Sequence, residues 1–255
     1  MTLRLSALQC ASPEGDIEAG FAALAPALRA AAAMGSKMLV APETLFPGYN
    51  VADIAHLAVQ QSGAWAERLS ALCQSTGCGV TLGYAEKAQD AVYNAAIAID
   101  AKGDVLGHYR KIQLYGPREA ALYTAGSHYS TFQLEGRKAA ILICYDIEFA
   151  PHVAALAARG VEIILVPTAN MLPFTHVSAV TVPAMAANHG LSIVYANYCG
   201  QEGDLIYAGG SVIVGPHGET LALAGKGATL LVADLPAKAP NLASSQAADY
   251  REVSG

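Results

Sequence analysis

One pattern occurs twice, far apart in the chain. Gly35-Ser36-Lys37-Met38-Leu39-Val40-Ala41-Pro42-Glu43 and Gly160-Val161-Glu162-Ile163-Ile164-Leu165-Val166-Pro167-Thr168 both run from a helix-stopping glycine through a short apolar strand to a proline and a polar residue. A helical stretch precedes each glycine. The first runs from about Asp16, a good N-cap, to Met34, and the second from about Pro151, a good first-turn residue, to Arg159. Pro26 inside the first predicts a kink or a break. Strand-like segments, Leu3–Gln9 and Lys138–Ile143, open the two units, and a further helix is expected over about 63–76. A hairpin follows in each half: about 91–100 with 104–109, then 211–214 with 220–224 across Pro216-His217-Gly218. Strands that read as unbroken apolar runs are covered on both faces. Two such β-α-β units therefore predict a four-layer α-β-β-α sandwich of two mixed sheets over residues 1–255, with an internal pseudo-repeat. The main rival is one doubly wound sheet. The tail from about 236 to 255, rich in Ala, Ser and Pro, is expected to be an extended arm.

Composition narrows the function. Of 255 residues 53% are hydrophobic and 14% charged, which excludes disorder. The net charge of −6 speaks against nucleic acid or an anionic membrane surface as partner, because both need a basic face. No segment is long and apolar enough to span a bilayer. Met1-Thr2-Leu3-Arg4-Leu5 enters a strand pattern without a signal-peptide core, so a cytoplasmic address is expected. The five cysteines are scattered without a C-x-x-C pair, which argues against a disulfide framework or a zinc site. Cys10, Cys73, Cys78 and Cys199 read as small buried hydrophobes. The seven histidines lack metal-ligand spacing.

Three polar islands stand at strand ends. In Ala41-Pro42-Glu43-Thr44-Leu45-Phe46-Pro47-Gly48-Tyr49-Asn50, a carboxylate follows a buried strand directly, and desolvation there raises its pKa toward the range of a general base. In His108-Tyr109-Arg110-Lys111 through Glu119, two cations are adjacent, so they point to opposite faces and only one can turn inward. An inward Lys beside carboxylates stays charged and can stabilise an oxyanion, with Glu119 to hold it. In Ile141-Leu142-Ile143-Cys144-Tyr145-Asp146-Ile147-Glu148-Phe149, a cysteine sits where an apolar strand turns toward a helix, an elbow that exposes a side chain beside free backbone N–H groups. Asp146 and Glu148 alone disfavour a thiolate, so the activating base and cation must come from elsewhere. Each island also has a plain structural reading: a capping Glu, a solvated turn, a buried cysteine. Together they supply nucleophile, base and electrophile for acyl transfer from an amide.

In the same order and at similar spacing, the three islands resemble the signatures of the nitrilase superfamily of carbon–nitrogen hydrolases. The resemblance extends over nearly the whole chain, including Val166-Pro167-Thr168-Ala169-Asn170 and Ala196-Asn197-Tyr198-Cys199-Gly200-Gln201-Glu202-Gly203. It implies that Cys144 attacks the carbonyl, that Glu43 takes the thiol proton and later activates water, and that Lys111 with the Tyr145 backbone N–H forms the oxyanion hole. Glu119 corresponds to a second glutamate that orients Lys111. The implied reaction passes through a thioester, releases ammonia and needs no metal or organic cofactor. Tyr49, Glu148 and Asn170 are the candidate substrate contacts. Cys144-Tyr145-Asp146-Ile147-Glu148-Phe149 looks like amidases of the 5-aminopentanamidase type, in which case Glu148 would meet a substrate ammonium. One departure is Phe149-Ala150-Pro151-His152, where family members often have Phe-Pro-Glu. The resemblance also implies a homodimer or higher homo-oligomer, built through the helix after Cys144 and the C-terminal arm. Alternatives within the family are a nitrilase or a hydrolase of N-carbamoyl amino acids, for which Arg118 is the candidate carboxylate partner. A catalytically silent scaffold is the alternative outside enzymes.

Overall fold

The computed structural model describes residues 3–251. Met1 and Thr2, and 252–255 at the end of the expected arm, lie outside the described residues.

The first sheet contains β1 (Leu3–Gln9), β2 (Met38–Val40), β3 (Gly79–Ala88), β4 (Ala91–Ile99) and β5 (Val105–Arg110). The second contains β6 (Thr131–Leu134), β7 (Arg137–Ile141), β8 (Ile163–Pro167), β9 (Ser192–Ala196), β12 (Val212–Val214) and β13 (Thr220–Leu223). Between β9 and β12 a small ribbon is formed by β10 (Gln201–Glu202) and β11 (Leu205–Ile206). The last strand, β14 (Thr229–Leu235), returns to the first sheet beside β1. The sheet orders are β14-β1-β2-β3-β4-β5 and β13-β12-β9-β8-β7-β6. Read outward from the parallel trio in each, β1-β2-β3 corresponds to β7-β8-β9 and β4-β5 to β12-β13. The pseudo-repeat is therefore real at the level of topology, and the two mixed sheets form the expected sandwich.

Side-chain alternation explains why two sheets form rather than one. In β2, Met38 and Val40 join the core between the sheets, whereas Leu39 packs outward beneath α1 (Ile17–Ala33). In β4, Ala96 and Ala98 face the partner sheet, while Ile97 and Ile99 face the helical layer. Small residues on the inner face let the sheets approach, and larger ones outside meet helices. Helix α3 (Ala64–Thr76) buries Leu69 and Cys73 in the same outer layer, beside Phe21, Leu24 and Leu28 of α1. On the opposite side α5 (Ala150–Ala158) and α6 (Val182–His189) cover the second sheet through Val153, Leu156, Val182 and Ala186. A π-turn, Val177–Thr181, leads into α6. Cys10, Cys73, Cys78 and Cys199 are buried free thiols, as expected.

Some elements differ from the sequence reading. Helix α1 is continuous through Pro26. The proline lies on the exposed face, where the carbonyl it leaves unpaired at Ala22 can be hydrated. Strand β3 and the short helices α2 (Ile54–Leu57) and α4 (Gly116–Leu122) were not foreseen. The tail is not wholly extended: it carries a 3-10 turn at Pro240–Leu242 and α7 (Gln246–Asp249).

Candidate active site

The two halves of the pseudo-repeat meet at their strand ends. The Glu43 backbone N–H donates to the Thr168 carbonyl at 3.3 Å, which brings the end of β2 against the end of β8. Beyond Glu43 the chain turns through Thr44 at φ +44°, a strained conformation for a β-branched residue. Gly83 makes this turn possible, because a Cβ there would lie 2.6 Å from Glu43 Cα.

Glu43 is fully buried, and its Oε1 accepts from Lys111 Nζ at 2.7 Å and from Asn94 Nδ2 at 2.6 Å. Its Oε2 is buried without a hydrogen-bond partner among the described residues. Burial pushes the Glu43 carboxyl up, against the pull of Lys111 and Asn94 and with Glu119 adding to the rise. Asn94 was not singled out from the sequence, although it is the one polar residue in the buried run Asn94-Ala95-Ala96-Ile97-Ala98-Ile99.

Lys111 follows β5 directly. Its neighbour Arg110 turns the other way, to Glu86 and over the Tyr93 ring, as the adjacency of the two cations requires. Lys111 is fully buried and donates to Glu43 and to Glu119 Oε1 at 2.8 Å. Burial alone would lower its pKa, but the two carboxylates overcome this and hold it well above the usual lysine value. The ammonium therefore stays charged. Glu119, in the first turns of α4, is fastened at both oxygens. Oε2 accepts the Tyr115 backbone N–H at 2.8 Å, and Oε1 takes the Tyr49 hydroxyl at 2.7 Å in addition to Lys111.

Cys144 opens a 3-10 turn, Cys144–Glu148, at φ +46°. Asp146 holds this elbow. Its Oδ2 accepts the Ile143 N–H at 3.1 Å and the Tyr109 hydroxyl at 2.8 Å, and its Oδ1 accepts the Gln113 N–H at 2.7 Å. Asp146 is thus a buried clamp rather than a charge bearing on the thiol. Tyr145 falls in the first turn, where backbone N–H groups have no intrahelical acceptor. Burial, with the Glu43 charge, lifts the Cys144 thiol well above its ordinary value, while Lys111, the Thr168 hydroxyl and the Ala169 N–H draw it back. The net direction favours the thiol over the thiolate.

Cys144 lines a cavity of about 240 Å³ with aromatic walls from Tyr49, Tyr115, Tyr145 and Phe174. Two further side chains there carry charge chemistry, Glu148 and His176, and the described lining contains neither lysine nor arginine. Burial raises the Glu148 carboxyl, with His176 and Lys111 opposing. The three candidate contacts all reach this cavity, but two have prior commitments. The Tyr49 hydroxyl is held by Glu119, and the Asn170 amide donates to the Phe174 carbonyl at 2.9 Å. Arg118 does not line it. Its guanidinium donates to the carbonyls of Tyr49 at 2.9 Å and Val51 at 3.2 Å, so it is no partner for a substrate carboxylate. His152 contacts Gln113 at 3.0 Å and the Tyr129 hydroxyl at 2.6 Å.

The sequence matches the carbon-nitrogen hydrolase family over residues 4–240, a span that includes every residue of this site. The chain belongs to that family. As a carbon–nitrogen hydrolase it is 38% identical to the hydrolase in the pqqF 5′ region of Pseudomonas protegens, across 92% of this chain and 83% of that one. It is 32% identical to an (R)-stereoselective amidase of a Pseudomonas species, across 88% and 81%. Among solved structures, an amidase from Nesterenkonia sp. AN1 superposes with a TM-score of 0.87 at 34% identity, covering 92% of this chain and 93% of that one. In that structure acrylamide has added to the active-site cysteine. In a further mutant of that amidase, the cysteine carries the acetamide moiety of fluoroacetamide. The likeness of this carbon–nitrogen hydrolase is thus to amidases with a nucleophilic cysteine.

Proposed function

We propose that this hydrolase cleaves small aliphatic amides to a carboxylic acid and ammonia through a thioester on Cys144. The observation that carries this reading is the buried Lys111 Nζ between Glu43 and Glu119, with Glu43 Oε2 left unpartnered among the described residues and both charges acting on the Cys144 thiol. A neutral thiol is a poor nucleophile, so its proton must leave as the sulfur attacks. Glu43 Oε2 takes that proton. The Sγ–C bond forms while the carbonyl π pair moves onto oxygen, and that oxyanion meets the third Lys111 N–H and the Tyr145 backbone N–H. Collapse breaks the C–N bond as the nitrogen receives the proton held by Glu43, and ammonia departs. Glu43, again a carboxylate, then removes a proton from water, whose oxygen displaces the thiolate from the thioester, and that proton returns to the sulfur as the acid leaves. Asn94 and Glu119 position the two charged partners.

Glu148 supports a finer reading, in which the amide carries an amino group. A half-buried carboxylate among aromatic rings gains most from an ammonium, through charge and through the ring faces. The same lining disfavours N-carbamoyl amino acids, since Arg118 is engaged with backbone carbonyls. A cytoplasmic address and self-association belong to this proposal as well. Among the described residues no helix is long and apolar enough to cross a membrane, and size-exclusion chromatography tests the assembly.

The test is ammonia release across short aliphatic, amino-substituted and aromatic amides, with matching nitriles and carbamoyl compounds. Turnover of at least one amide, abolished in Cys144→Ala, is the expected result; hydrolysis confined to nitriles or carbamoyl acids rejects the amidase reading. Glu148→Gln is expected to reduce the preference for an amino-amide over a neutral amide of equal length. An unchanged ratio of kcat/KM removes Glu148 from that role.

A further inference from the structure

The Tyr49 hydroxyl can reach Glu119 only if the loop that carries it is held still. After Pro47 the chain passes Gly48 at φ +133° and runs through Tyr49, Asn50 and Val51 without regular structure. On one side Arg118 grips it through the Tyr49 and Val51 carbonyls. On the other side stands Glu202, in the β10–β11 ribbon. Its Oε2 accepts the Asn50 backbone N–H at 2.9 Å, and its own carbonyl accepts Asn50 Nδ2 at 2.9 Å. Asn50 Nδ2 also donates to Asp204 Oδ1 at 2.8 Å. The Tyr207 hydroxyl donates to the same Glu202 Oε2 and fixes the carboxylate from below. Glu202 is 3% exposed, so this is a buried anchor. The fit is close: a Cβ at Gly48 would lie 2.7 Å from Glu202 Oε1.

We infer that Glu202 is a positioning residue for the oxyanion cation, acting through Asn50 and Tyr49 on Glu119 and so on Lys111. Three hydrogen bonds and one covalent step make the path: Glu202 to Asn50 N, along the chain to Tyr49, Tyr49 Oη to Glu119 Oε1, and Glu119 Oε1 to Lys111 Nζ. Glu202 makes no hydrogen bond to Glu43, Lys111, Glu119 or Cys144 and does not line the cavity; the Asn50–Tyr49 loop is its hydrogen-bonded route to Glu119. Without the Glu202 carboxylate, the Asn50 backbone N–H loses its acceptor and Tyr207 its partner, leaving Asn50 held only through its side chain, by the Glu202 carbonyl and Asp204. Tyr49 is then free to leave Glu119, which loses one of its two donors at Oε1 and with it the fixed position of Lys111. Small losses of registration at an oxyanion donor are costly, because the interaction is needed at one geometry only.

The inference rests on the catalytic reading above, which Cys144→Ala tests separately; each comparison here is a ratio to a wild-type enzyme already shown to turn over an amide. Glu202→Ala is expected to lower kcat about 10-fold or more with a smaller change in KM, the scale at which misplacement by a fraction of an ångström acts. Glu202→Gln keeps an oxygen for Asn50 and Tyr207 and is expected to restore most of the rate. In a Tyr49→Phe background, where the link to Glu119 is already cut, Glu202→Ala is expected to lower kcat by less than 2-fold further, roughly the limit for coupled residues. Should Glu202→Ala fold poorly, Asn50→Ala removes the side-chain half of the clamp and is expected to show the same dependence on Tyr49. Equal losses in both backgrounds, or a lowered Tm with kcat intact, overturn the inference.

Discussion

Arg110 and Lys111 are consecutive in the chain, and each anchors a carboxylate network, yet the two networks are opposite in kind. Arg110 makes a two-point bond to Glu86, Nε at 2.8 Å and Nη2 at 2.6 Å, and His108 adds a third contact at 2.9 Å. Both Glu86 oxygens are partnered, and burial, which would raise its pKa, is overcome so that Glu86 is held down at about 2. Lys111 faces two carboxylates and is wholly buried, but one oxygen of Glu43 has no partner among the described residues and the Glu43 carboxyl is pushed up rather than down. A closed network with a depressed carboxylate stabilises structure. A network left one bond short, with its carboxylate raised, is poised to take a proton. The strand decides which is which, since its alternation sends one cation to the outer face of the sheet and the next to the interior.

The widest separation between the two networks should come from deleting the cations. Lys111→Ala is expected to lower kcat/KM by roughly 10²-fold or more, the usual cost of losing an oxyanion donor. Glu43→Gln, which keeps the shape but cannot take a proton, is expected to cost about 10²-fold as well. Steady-state kinetics on the best amide of the screen checks both, and an activity within a few-fold of wild type in either removes that residue from the chemistry. A smaller and sharper effect is expected at Asn94. Its hydrogen bond lowers the Glu43 pKa. In the proposed mechanism Glu43 must be ionised to accept the thiol proton, so activity is expected to fall as pH drops through the Glu43 pKa. Asn94→Ala removes a stabiliser of the ionised form, and the acid limb of kcat/KM is therefore expected to move to higher pH. A limb that stays in place or moves down shows that Glu43 does not set it.

How much of this was legible in advance follows the distance between partners. The repeated Gly–strand–Pro units are local, and with them came the sandwich and the strand ends that carry Glu43, Cys144 and Thr168. The opposite facing of Arg110 and Lys111 needed only the two-residue period of a strand. Relations across the fold were not readable. Asn94 lies 51 residues from Glu43 and looks like one polar interruption in a strand. Asp146 reads as an unfavourable charge until Tyr109, 37 residues earlier, and the backbone of Gln113 are seen to satisfy it. Arg118 near the motifs suggests a substrate cation, and only the path of the Tyr49 loop shows it to be occupied. Strand β3 was not foreseen, and nothing local marks Gly83 as the place where the Glu43 turn crosses it.

The smallest effect belongs to the closed network, and it should appear in stability alone. Arg110→Ala leaves Glu86, 2% exposed, with His108 as its remaining partner. Breaking one partner from a buried charge costs several kcal/mol, but Arg110 is about a third exposed and solvent screens it, so about 1–3 kcal/mol is expected. The pH dependence has a definite sign. A carboxyl with a lowered folded pKa stabilises the protein above its ordinary value, and that contribution disappears as pH falls toward about 2. The difference in unfolding free energy between wild type and Arg110→Ala should therefore be full near neutrality and shrink steadily below the ordinary carboxylate range, while kcat on the chosen amide stays at the wild-type value. Denaturant unfolding at several pH values measures the first and turnover the second. A loss of kcat comparable to that of Lys111→Ala, at unchanged stability, would mean that the two adjacent cations serve one site, and the division between an open and a closed network would have to be given up.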